Sequence, residues 1–424
     1  DASNDTLQQN YNEVAIGGVA AILAAGNTDA PTDLLTQMFL KGRVCIYKPN
    51  PVNHGTIDIL EHKILKPLVD LGYVAFVKGG ALVGSTLVQD EHIDEIVITG
   101  SALTLDKIQW GATLQEQTEN KQANTPIIQT PICSELGAVN SWVIVPGSQW
   151  NRKNVDKHAS ALAFAKLANN GHICASPQVV VLPKDWVYRD EFIDRLRFWL
   201  AQHPGSAPFY PGSDKSHAYF QGQENAEIIE GTSPDNFPNQ QRPILIRNVS
   251  IDNQDLLSRE AWCPVLMELP IEYERSEEDP MGYLEYAVRC VETKSYGSLG
   301  LGILINDKTM KKNQQQFDNL VASFPFGIVG INIWPLFVNS MPMLKWGAFP
   351  GYTASGQGSI GNANLYRKPE KAILTAPFSY LPRKSVEVMS PRKAGLLFSR
   401  MTKYKLKPNL TTQAALFAAV LLGI

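Results

Sequence analysis

Cysteine is scarce in this sequence of 424 residues, and the few cysteines lie far apart. No pair has the Cys-x-x-Cys spacing of a zinc site, and the number is too small for a disulfide-stapled domain. We therefore expect reduced thiols, no metal site and a reducing compartment, the cytoplasm. The cysteines are Cys45, Cys133, Cys174, Cys263 and Cys290.

Long hydrophobic runs and a large net charge are also missing. No stretch reaches the roughly 18 apolar residues that a membrane span requires. The apolar segment Ala414–Ile424 is too short to cross a bilayer, so we expect a packed terminal helix or strand there. A formal net charge of −3 gives no reason to expect nucleic acid or an anionic membrane surface as a partner.

What the sequence does contain is typical of a globular protein, with 44% hydrophobic and 19% charged residues. Its length predicts two or three domains or lobes. The chain begins at Asp1, which favours a processed or truncated product, and no targeting peptide is recognisable.

Short apolar runs alternate with amphipathic stretches through the first half. One helical face of Ile57–Leu71 is apolar, and turn residues bound the apolar runs before and after it. This alternation predicts an α/β fold with a parallel sheet and helices on both faces. Residues 106–131 and 203–240 lack periodicity and are expected to form an excursion between lobes and a long surface loop.

Polar residues and glycines follow several of the predicted strands. Asn27, Lys48, Gly79 and Gly100-Ser101 all stand at strand ends. Ligands of parallel sheets bind at the carboxyl ends of the strands, so these residues predict a binding site at one sheet edge. A Gly-x-Gly-x-x-Gly fingerprint is absent from residues 1–134, which argues against a standard dinucleotide phosphate loop there.

A carboxylate and a thiol stand on two glycine-containing turns, Glu135-Leu136-Gly137 and Gly171-His172-Ile173-Cys174. A thiol nucleophile and a carboxylate that activates water are the two groups that covalent acyl chemistry requires. The alternatives are a small buried hydrophobic role for Cys174 and a turn-stabilising role for Glu135. Asn27 could likewise be an ordinary turn residue.

These motifs follow one another in a definite order: Asn27, Lys48-Pro49, Ile98–Ser101, Glu135–Gly137, Gly171–Cys174 and Glu260–Pro264, then Tyr296-Gly297, Asn332 and the glycine-rich Pro350–Gly361. The order and spacing resemble the aldehyde dehydrogenase superfamily from about residue 20 to about residue 365. Only 26 residues precede Asn27, so the chain resembles a divergent, N-terminally short member.

The resemblance implies an aldehyde-dehydrogenase-like α/β fold with a Rossmann-type cofactor lobe and an α/β catalytic lobe. The expected divisions are 1–134 for the nucleotide-binding lobe, incomplete at its start, 135–345 for the catalytic lobe, and 346–424 for a C-terminal return segment and tail. The expected partners are a small aldehyde, NAD or NADP, and further copies of the chain in a homo-oligomer.

The resemblance also assigns roles for the NAD(P)-dependent oxidation of an aldehyde to an acid. Cys174 is the nucleophile that forms the thiohemiacetal and then the thioester, and Glu135 is the base that activates water. Asn27 donates to the oxyanion, an interaction that contributes about 3–4 kcal/mol to such transition states. The cofactor-binding residues implied are Lys48, Gly100, Ser101, Glu260 and Trp262.

Several positions depart from the superfamily pattern. Pro51 stands where NAD-preferring members often carry a glutamate, which leaves NADP use open. Leu105 replaces a glycine near the cofactor phosphates, Ala138 replaces a glycine, and His172 replaces the usual glutamine. Two other functions therefore stay open: an acyl-CoA or thioester reductase or acyl transferase that uses the same cysteine, and a catalytically inactive scaffold.

Overall fold

The computed structural model describes residues 17–27, 31–202, 208–231, 240–341, 344–351, 369–379 and 391–422. The strands of these parts form two separate sheets. The strands are β1 Val19–Leu23, β2 Val44–Lys48, β3 Val74–Phe76, β4 Glu95–Gly100, β5 Ile132–Leu136, β6 Asn140–Ile144, β7 Pro177–Pro183, β8 Ala226–Ile228, β9 Ile244–Ile246, β10 Val265–Ile271, β11 Gly300–Leu304, β12 Ile328–Ile331 and β13 Ala372–Thr375.

Helices connect and flank these strands. The α-helices of the described residues are α1 Thr32–Leu35, α2 His54–Ile59, α3 Lys66–Asp70, α4 Ala81–Val88, α5 Ala102–Trp110, α6 Leu114–Ala123, α7 Arg152–Leu167, α8 Arg189–Ala201, α9 Ser213–Gln221, α10 Gln254–Leu257, α11 Pro280–Lys294, α12 Asp307–Lys312, α13 Gln314–Ser323, α14 Pro391–Leu406 and α15 Leu410–Leu422. Short 3₁₀ segments cover Pro51–Asn53, Ala168–Gly171 and Pro335–Ser340, and π turns cover Thr36–Leu40 and Leu60–Ile64.

The first sheet has the strand order β3-β2-β1-β4-β5, and all of its neighbouring strands are parallel. Parallel neighbours require crossover connections, so the carboxyl ends of all five strands meet at one edge. The edge therefore collects the residues that follow β1, β2 and β4. The predicted α/β fold with a Rossmann-type parallel sheet is confirmed.

The second sheet has the order β13-β12-β11-β6-β7-β10-β9-β8, parallel except for the antiparallel β8–β9 pair. Its central strand β7 is buried on both faces, as expected for a strand covered by helices on each side. Val179 and Val181 belong to one core cluster, and Val180 and Leu182 to the other. The first sheet ends at Leu136 and the second begins at Asn140, so the predicted division at residue 134 falls inside β5.

The two segments expected to form an excursion between lobes and a long surface loop both contain helices. Residues 106–131 include the end of α5 and all of α6, and residues 203–240 include α9 and β8. The helix α6 begins with a capping box, in which Thr113 and Glu116 each bond to the other's backbone N–H. Such a helix is stabilised at its end rather than by an apolar face, so hydrophobic periodicity does not reveal it. The excursion expected over residues 106–131 is thus largely helical, and the long loop expected over residues 203–240 is interrupted by α9 and β8.

The apolar segment near the C-terminus is helical, which is one of the two structures, helix or strand, that the sequence predicted for it. The helices α14 and α15 form a hairpin in which the Arg400 guanidinium donates to the Ala415 carbonyl at 3.2 Å. Within the described ranges, no helix has the length and apolar content that spanning a membrane requires.

One buried histidine links the helix α7 to the segment that follows β13. His158 is fully buried, its Nε2 lies 3.1 Å from the Phe378 carbonyl, and its ring lies 4.3 Å from the Phe378 ring. Burial lowers the pKa of His158 to about 3, and the positive charge of Lys157 acts in the same direction. The imidazole is therefore neutral in the folded protein at any moderate pH.

This burial predicts a pH-dependent stability. An unfolded histidine takes up a proton near pH 6.5, whereas the folded one does not until about pH 3. Between these values the free energy of unfolding should fall by about 1.4 kcal/mol per pH unit as the pH is lowered. Urea unfolding of wild type and His158→Gln at several pH values should show a shallower slope in the variant. The change His62→Gln at an exposed side chain should leave the slope unaltered, and equal slopes in all three proteins would contradict the assignment.

Candidate active site

A cavity of about 1380 Å³ opens at the carboxyl-terminal edge of the first sheet. The ends of β1, β2, β4 and β5 line it on one side, and loops around the second sheet line it on the other. Its volume exceeds that of a site for one drug-sized ligand, so a cofactor and a substrate fit together. All eight residues singled out in the sequence line this cavity: Asn27, Lys48, Gly100, Ser101, Glu135, Cys174, Glu260 and Trp262.

The loop that carries Cys174 is held in an unusual backbone conformation. Asn169, Asn170 and Gly171 have successive φ angles of 51°, 54° and 75°, all in the left-handed region. At Gly171 a side chain would also meet the carbonyl oxygen of Cys263 at 2.5 Å, so only glycine fits. The tight turn ends α7 and brings Cys174 to the cavity wall.

Hydrogen bonds fix this loop at both ends. The Asn140 side-chain amide donates to the Cys174 carbonyl at 2.7 Å and to the Ser176 carbonyl at 3.1 Å. The Asn169 amide donates to the Asn27 carbonyl at 2.9 Å. Two of the three predicted catalytic residues, Asn27 and Cys174, are thus tied to the same loop.

Glu135 is the next-to-last residue of β5 and lies against Cys174. The Cys174 thiol and the Trp346 side chain lie close to its carboxylate, whose Oε1 is buried without a partner among the described atoms. The pKa of Glu135 is raised to about 7, mainly by burial and also by the negative charge of Asp33, and the nearby Trp346 and Cys174 side chains oppose the rise. The carboxylate therefore changes protonation close to neutral pH, as a general base should.

The thiol is strongly affected by the same surroundings. Burial raises the pKa of Cys174 well above its ordinary value, and the negative charges of Glu135 and Glu260 act in the same direction. At rest the sulfur is therefore protonated and lies close to the Glu135 carboxylate. A thiolate forms only when the proton moves to an acceptor, and Glu135 is in place to take it.

Glu260 brings a second carboxylate to the cavity. Its side chain lies so close to Gly137 that a Cβ there would overlap both carboxylate oxygens. Burial raises the pKa of Glu260 to about 8, a backbone hydrogen bond from Ala138 and the charge of Lys166 lower it, and Glu135 raises it. Ala138, which replaces a glycine of the superfamily pattern, thus contributes to the site through its backbone N–H.

Lys166 and Asp33 are part of the site but were not singled out from the sequence. Lys166 is fully buried, its Nζ lies 3.2 Å from the Ser176 hydroxyl, and burial lowers its pKa to about 8. Asp33 accepts from the Thr99 hydroxyl at 3.0 Å, while its Oδ1 is buried without a partner among the described atoms. For Lys166, the sequence signal that could have been noticed was a lysine on the buried face of α7.

The other half of the cavity holds the predicted cofactor residues. The half-buried Lys48 side chain passes so close to Gly84 that a Cβ there would lie 3.3 Å from the lysine Cε. Ser101 caps the helix α5 by accepting from the Thr104 N–H at 3.2 Å. Since Gly100 and Ser101 line the cavity, the N-terminus of α5 offers backbone donors and a positive dipole end to an anionic ligand.

Aromatic rings surround the cavity near Cys174. The Trp262 ring lies 5.4 Å from the Tyr210 ring and 6.1 Å from the His172 ring, and Trp262 itself has a φ of 46°. His172 is buried with Nε2 at 2.8 Å from the Ser213 hydroxyl, and burial lowers its pKa to about 4. A neutral, packed ring fits the prediction that His172 is a loop residue and not a second base.

A separate surface group of possible metal ligands occurs on and beside α2. Asp58, Glu61 and His62 offer ligand atoms within 4.8 Å of one another. Asp58 is exposed and already paired with the Lys78 ammonium. The group is remote from the residues that line the cavity, and we assign it no role.

Comparison with known proteins shows which proteins the chain resembles. Residues 15–214 match the sequence profile described as "Aldehyde dehydrogenase family". N-succinylglutamate 5-semialdehyde dehydrogenase of Chromohalobacter salexigens is 25% identical over 50% of this chain and 40% of its own length. Peroxisomal aminoaldehyde dehydrogenase 1 of Malus domestica is 29% identical over 32% of this chain and 22% of its own length. The chain thus matches less than half of the length of these curated relatives.

Solved structures extend the likeness in the fold. The glyceraldehyde-3-phosphate dehydrogenase GapN of Methanocaldococcus jannaschii, solved with NADP, has a TM-score of 0.60 at 19% identity, covering 83% of this chain and 71% of its own. The aldehyde dehydrogenase KauB of Pseudomonas aeruginosa has a TM-score of 0.61 at 17% identity, covering 81% of this chain and 65% of its own. Residues 15–214 thus resemble the aldehyde dehydrogenase family in sequence, and the described residues share the fold of solved aldehyde dehydrogenases.

Proposed function

We propose that this protein oxidises a small aldehyde to a carboxylic acid with NAD or NADP, through a thioester on Cys174. The observation that carries the proposal is the closeness of the Cys174 thiol to the buried Glu135 carboxylate, which is near enough for each group to shift the pKa of the other. The pair lies in a cavity large enough for a cofactor and an aldehyde together.

The first step attaches the aldehyde to the enzyme. The thiol proton moves to the Glu135 carboxylate while the sulfur bonds to the carbonyl carbon, and the carbonyl oxygen gains negative charge. Asn27 lines the same cavity and can donate its side-chain amide to that oxygen. A nicotinamide cofactor held by Lys48, the N-terminus of α5, Glu260 and Trp262 would supply the hydride acceptor, and loss of the hydride from the former aldehyde carbon would convert the adduct to a thioester.

The second step releases the acid. Glu135, once it has lost its proton to solvent, removes a proton from a water molecule whose oxygen bonds to the acyl carbon. The carbon–sulfur bond then breaks, and the sulfur regains a proton. A base with a pKa of about 7 suits this step, because it is partly ionised at neutral pH and still basic enough to accept a proton.

The cavity also supports binding of a nicotinamide dinucleotide. The Lys48 side chain passes over the space that Gly84 leaves by having no side chain. The N-terminus of α5 presents backbone N–H donors for a phosphate group. Pro51 lines the cavity without a carboxylate to repel a 2′-phosphate, so we propose that NADP is accepted beside NAD. Glu260 and Trp262, on the wall nearest Cys174, are proposed to contact the nicotinamide end.

The other two functions are less well supported. A carboxylate placed beside the nucleophile favours hydrolysis of the thioester over transfer to a second thiol. A scaffold without activity has no need of a thiol and a base in contact within a large cavity. An aldehyde panel assayed with NAD and with NADP, by the absorbance of the reduced cofactor, tests the proposal directly. No turnover in the wild type, or unchanged turnover in Cys174→Ala, would refute it.

Assembly, lobe division and compartment stay predictions. A homo-oligomer, the division of the chain at residues 134 and 345, and a cytoplasmic location rest on the resemblance and on the cysteine content. Size-exclusion chromatography with light scattering would measure the first of these.

Replacing Glu135 should slow both steps. Glu135→Gln keeps the side-chain size but can take a proton neither from the Cys174 thiol nor from water, so the burst of reduced cofactor and the release of acid should each slow by roughly 10²–10⁴-fold. Rapid mixing measures the burst, and mass spectrometry follows the acyl group on Cys174. The control Cys174→Ser should show neither burst nor acyl adduct. A Glu135→Gln enzyme that turned over at the normal rate would remove Glu135 from this role.

The same carboxylate predicts a pH dependence. Since Glu135 must be ionised to act and its pKa is about 7, the rate of acid release should fall about tenfold per pH unit below that value. The measurement is the steady-state rate with saturating substrates between acidic and neutral pH. A rate that stayed flat down to the ordinary glutamate range would show that this group does not limit the reaction.

Lys48 should contribute to cofactor affinity through its charge. Lys48→Met keeps the stem that packs against Gly84 but removes the ammonium, so NADP binding should weaken by about tenfold or more, and NAD binding by less. Fluorescence titration with each cofactor measures both constants. Lys107→Met, at a lysine that also lines the cavity, is the matched control. Equal losses for both cofactors in both variants would indicate a general effect of charge.

A further inference from the structure

Positive charge is concentrated at the C-terminal end of the chain. Residues 388–424 contain six of the 38 Lys and Arg residues and none of the 41 Asp and Glu residues. The net charge of −3 for the whole chain therefore averages over an acidic body and a basic end. The six residues are Arg392, Lys393, Arg400, Lys403, Lys405 and Lys407.

Apolar side chains stand in the open beside this charge. Leu410, Ala414 and Phe417 have the i, i+4, i+7 spacing of one helical face on α15, and all three are exposed. Leu410 is 84% exposed and Phe417 is 64% exposed. Leu406, at the end of α14, is 75% exposed and adjoins Lys405 and Lys407 in sequence. Single exposed leucines are ordinary, but a group of them at one turn is not.

The two helices of the hairpin already pack against each other, so the exposed apolar side chains are not needed for contact between them. Leu397 and Ala419 are buried, and Arg400 donates across the pair to Ala415. Asn409 caps α15 by accepting from the Thr412 N–H at 2.9 Å. The exposed face is what remains after both helices have used their inner faces.

We propose that the α14–α15 hairpin docks on an anionic phospholipid surface. The leucines and Phe417 enter the boundary between headgroups and acyl chains, and Lys403, Lys405 and Lys407 face the lipid phosphates. A basic, apolar helical segment of this kind binds in the plane of a membrane surface without spanning it.

The positive charge of the hairpin favours a membrane surface over a second copy of the chain as its partner. Pairing of two hairpins through the same face would bring two clusters of like charge together with no acidic residue in either segment to offset them. A lipid surface supplies the opposite charge and a fluid apolar layer at once. The inference is independent of the aldehyde chemistry, because none of the residues that line the active-site cavity belongs to the hairpin.

The test is co-sedimentation of the full chain with vesicles. Phosphatidylcholine vesicles that also contain phosphatidylserine should bind the protein, and vesicles of phosphatidylcholine alone should bind it much less. Neutralising Lys403, Lys405 and Lys407 together to Gln should weaken binding by about a hundredfold, at about fivefold per lysine. The pair Leu410→Gln and Phe417→Gln should weaken it by about tenfold or more.

Matched changes keep the outcome interpretable. Lys311→Gln with Lys312→Gln removes exposed charge from α12 and should leave vesicle binding as in the wild type. Light scattering and thermal unfolding of each variant report association and folding. Equal binding to both kinds of vesicle, or no binding to either, overturns the proposal. A wild-type dimer that Phe417→Gln dissociates, with no vesicle binding, would instead make the hairpin an interface between copies.

Discussion

The contact between the Cys174 thiol and the Glu135 carboxylate is the interaction on which the site depends. Glu135 stands at the end of the first sheet, and Cys174 stands directly before β7 of the second. The contact therefore joins the two sheets at the point where chemistry is proposed. Any displacement of one sheet against the other would separate nucleophile from base before it affected either core.

Burial gives this contact its chemical character. Glu135, Glu260 and Asp33 are three carboxyl groups whose pKa values are all raised by burial, and the buried ammonium of Lys166 partly offsets their charge. In such a group the protonation of one member changes that of the others. The site can therefore hold and move protons at neutral pH although it contains no histidine with an ordinary pKa.

The sequence predicted the fold class and the grouping of Asn27, Lys48 and Gly100-Ser101 from local signals, and the other site residues followed from the order of the motifs and the family resemblance. Turn residues after apolar runs mark strand ends, and parallel topology brings those ends together. The same signals could not reveal Lys166 and Asp33, since their roles depend on burial that only packing creates. The helix α6 was missed because its stability lies in the Thr113–Glu116 cap, and the basic hairpin because net charge is an average.

Gly171 has a consequence that extends past its own turn. With no side chain, it lets the loop of Cys174 rest directly on the backbone carbonyl of Cys263, one residue after Trp262 and three after Glu260. Because the two backbone segments are in direct contact, no flexible side chain lies between them to absorb a shift. A ligand that pushes on the tryptophan segment would thus move the sulfur as well, so occupancy at one wall can be transmitted to the reactive atom without any shared hydrogen bond.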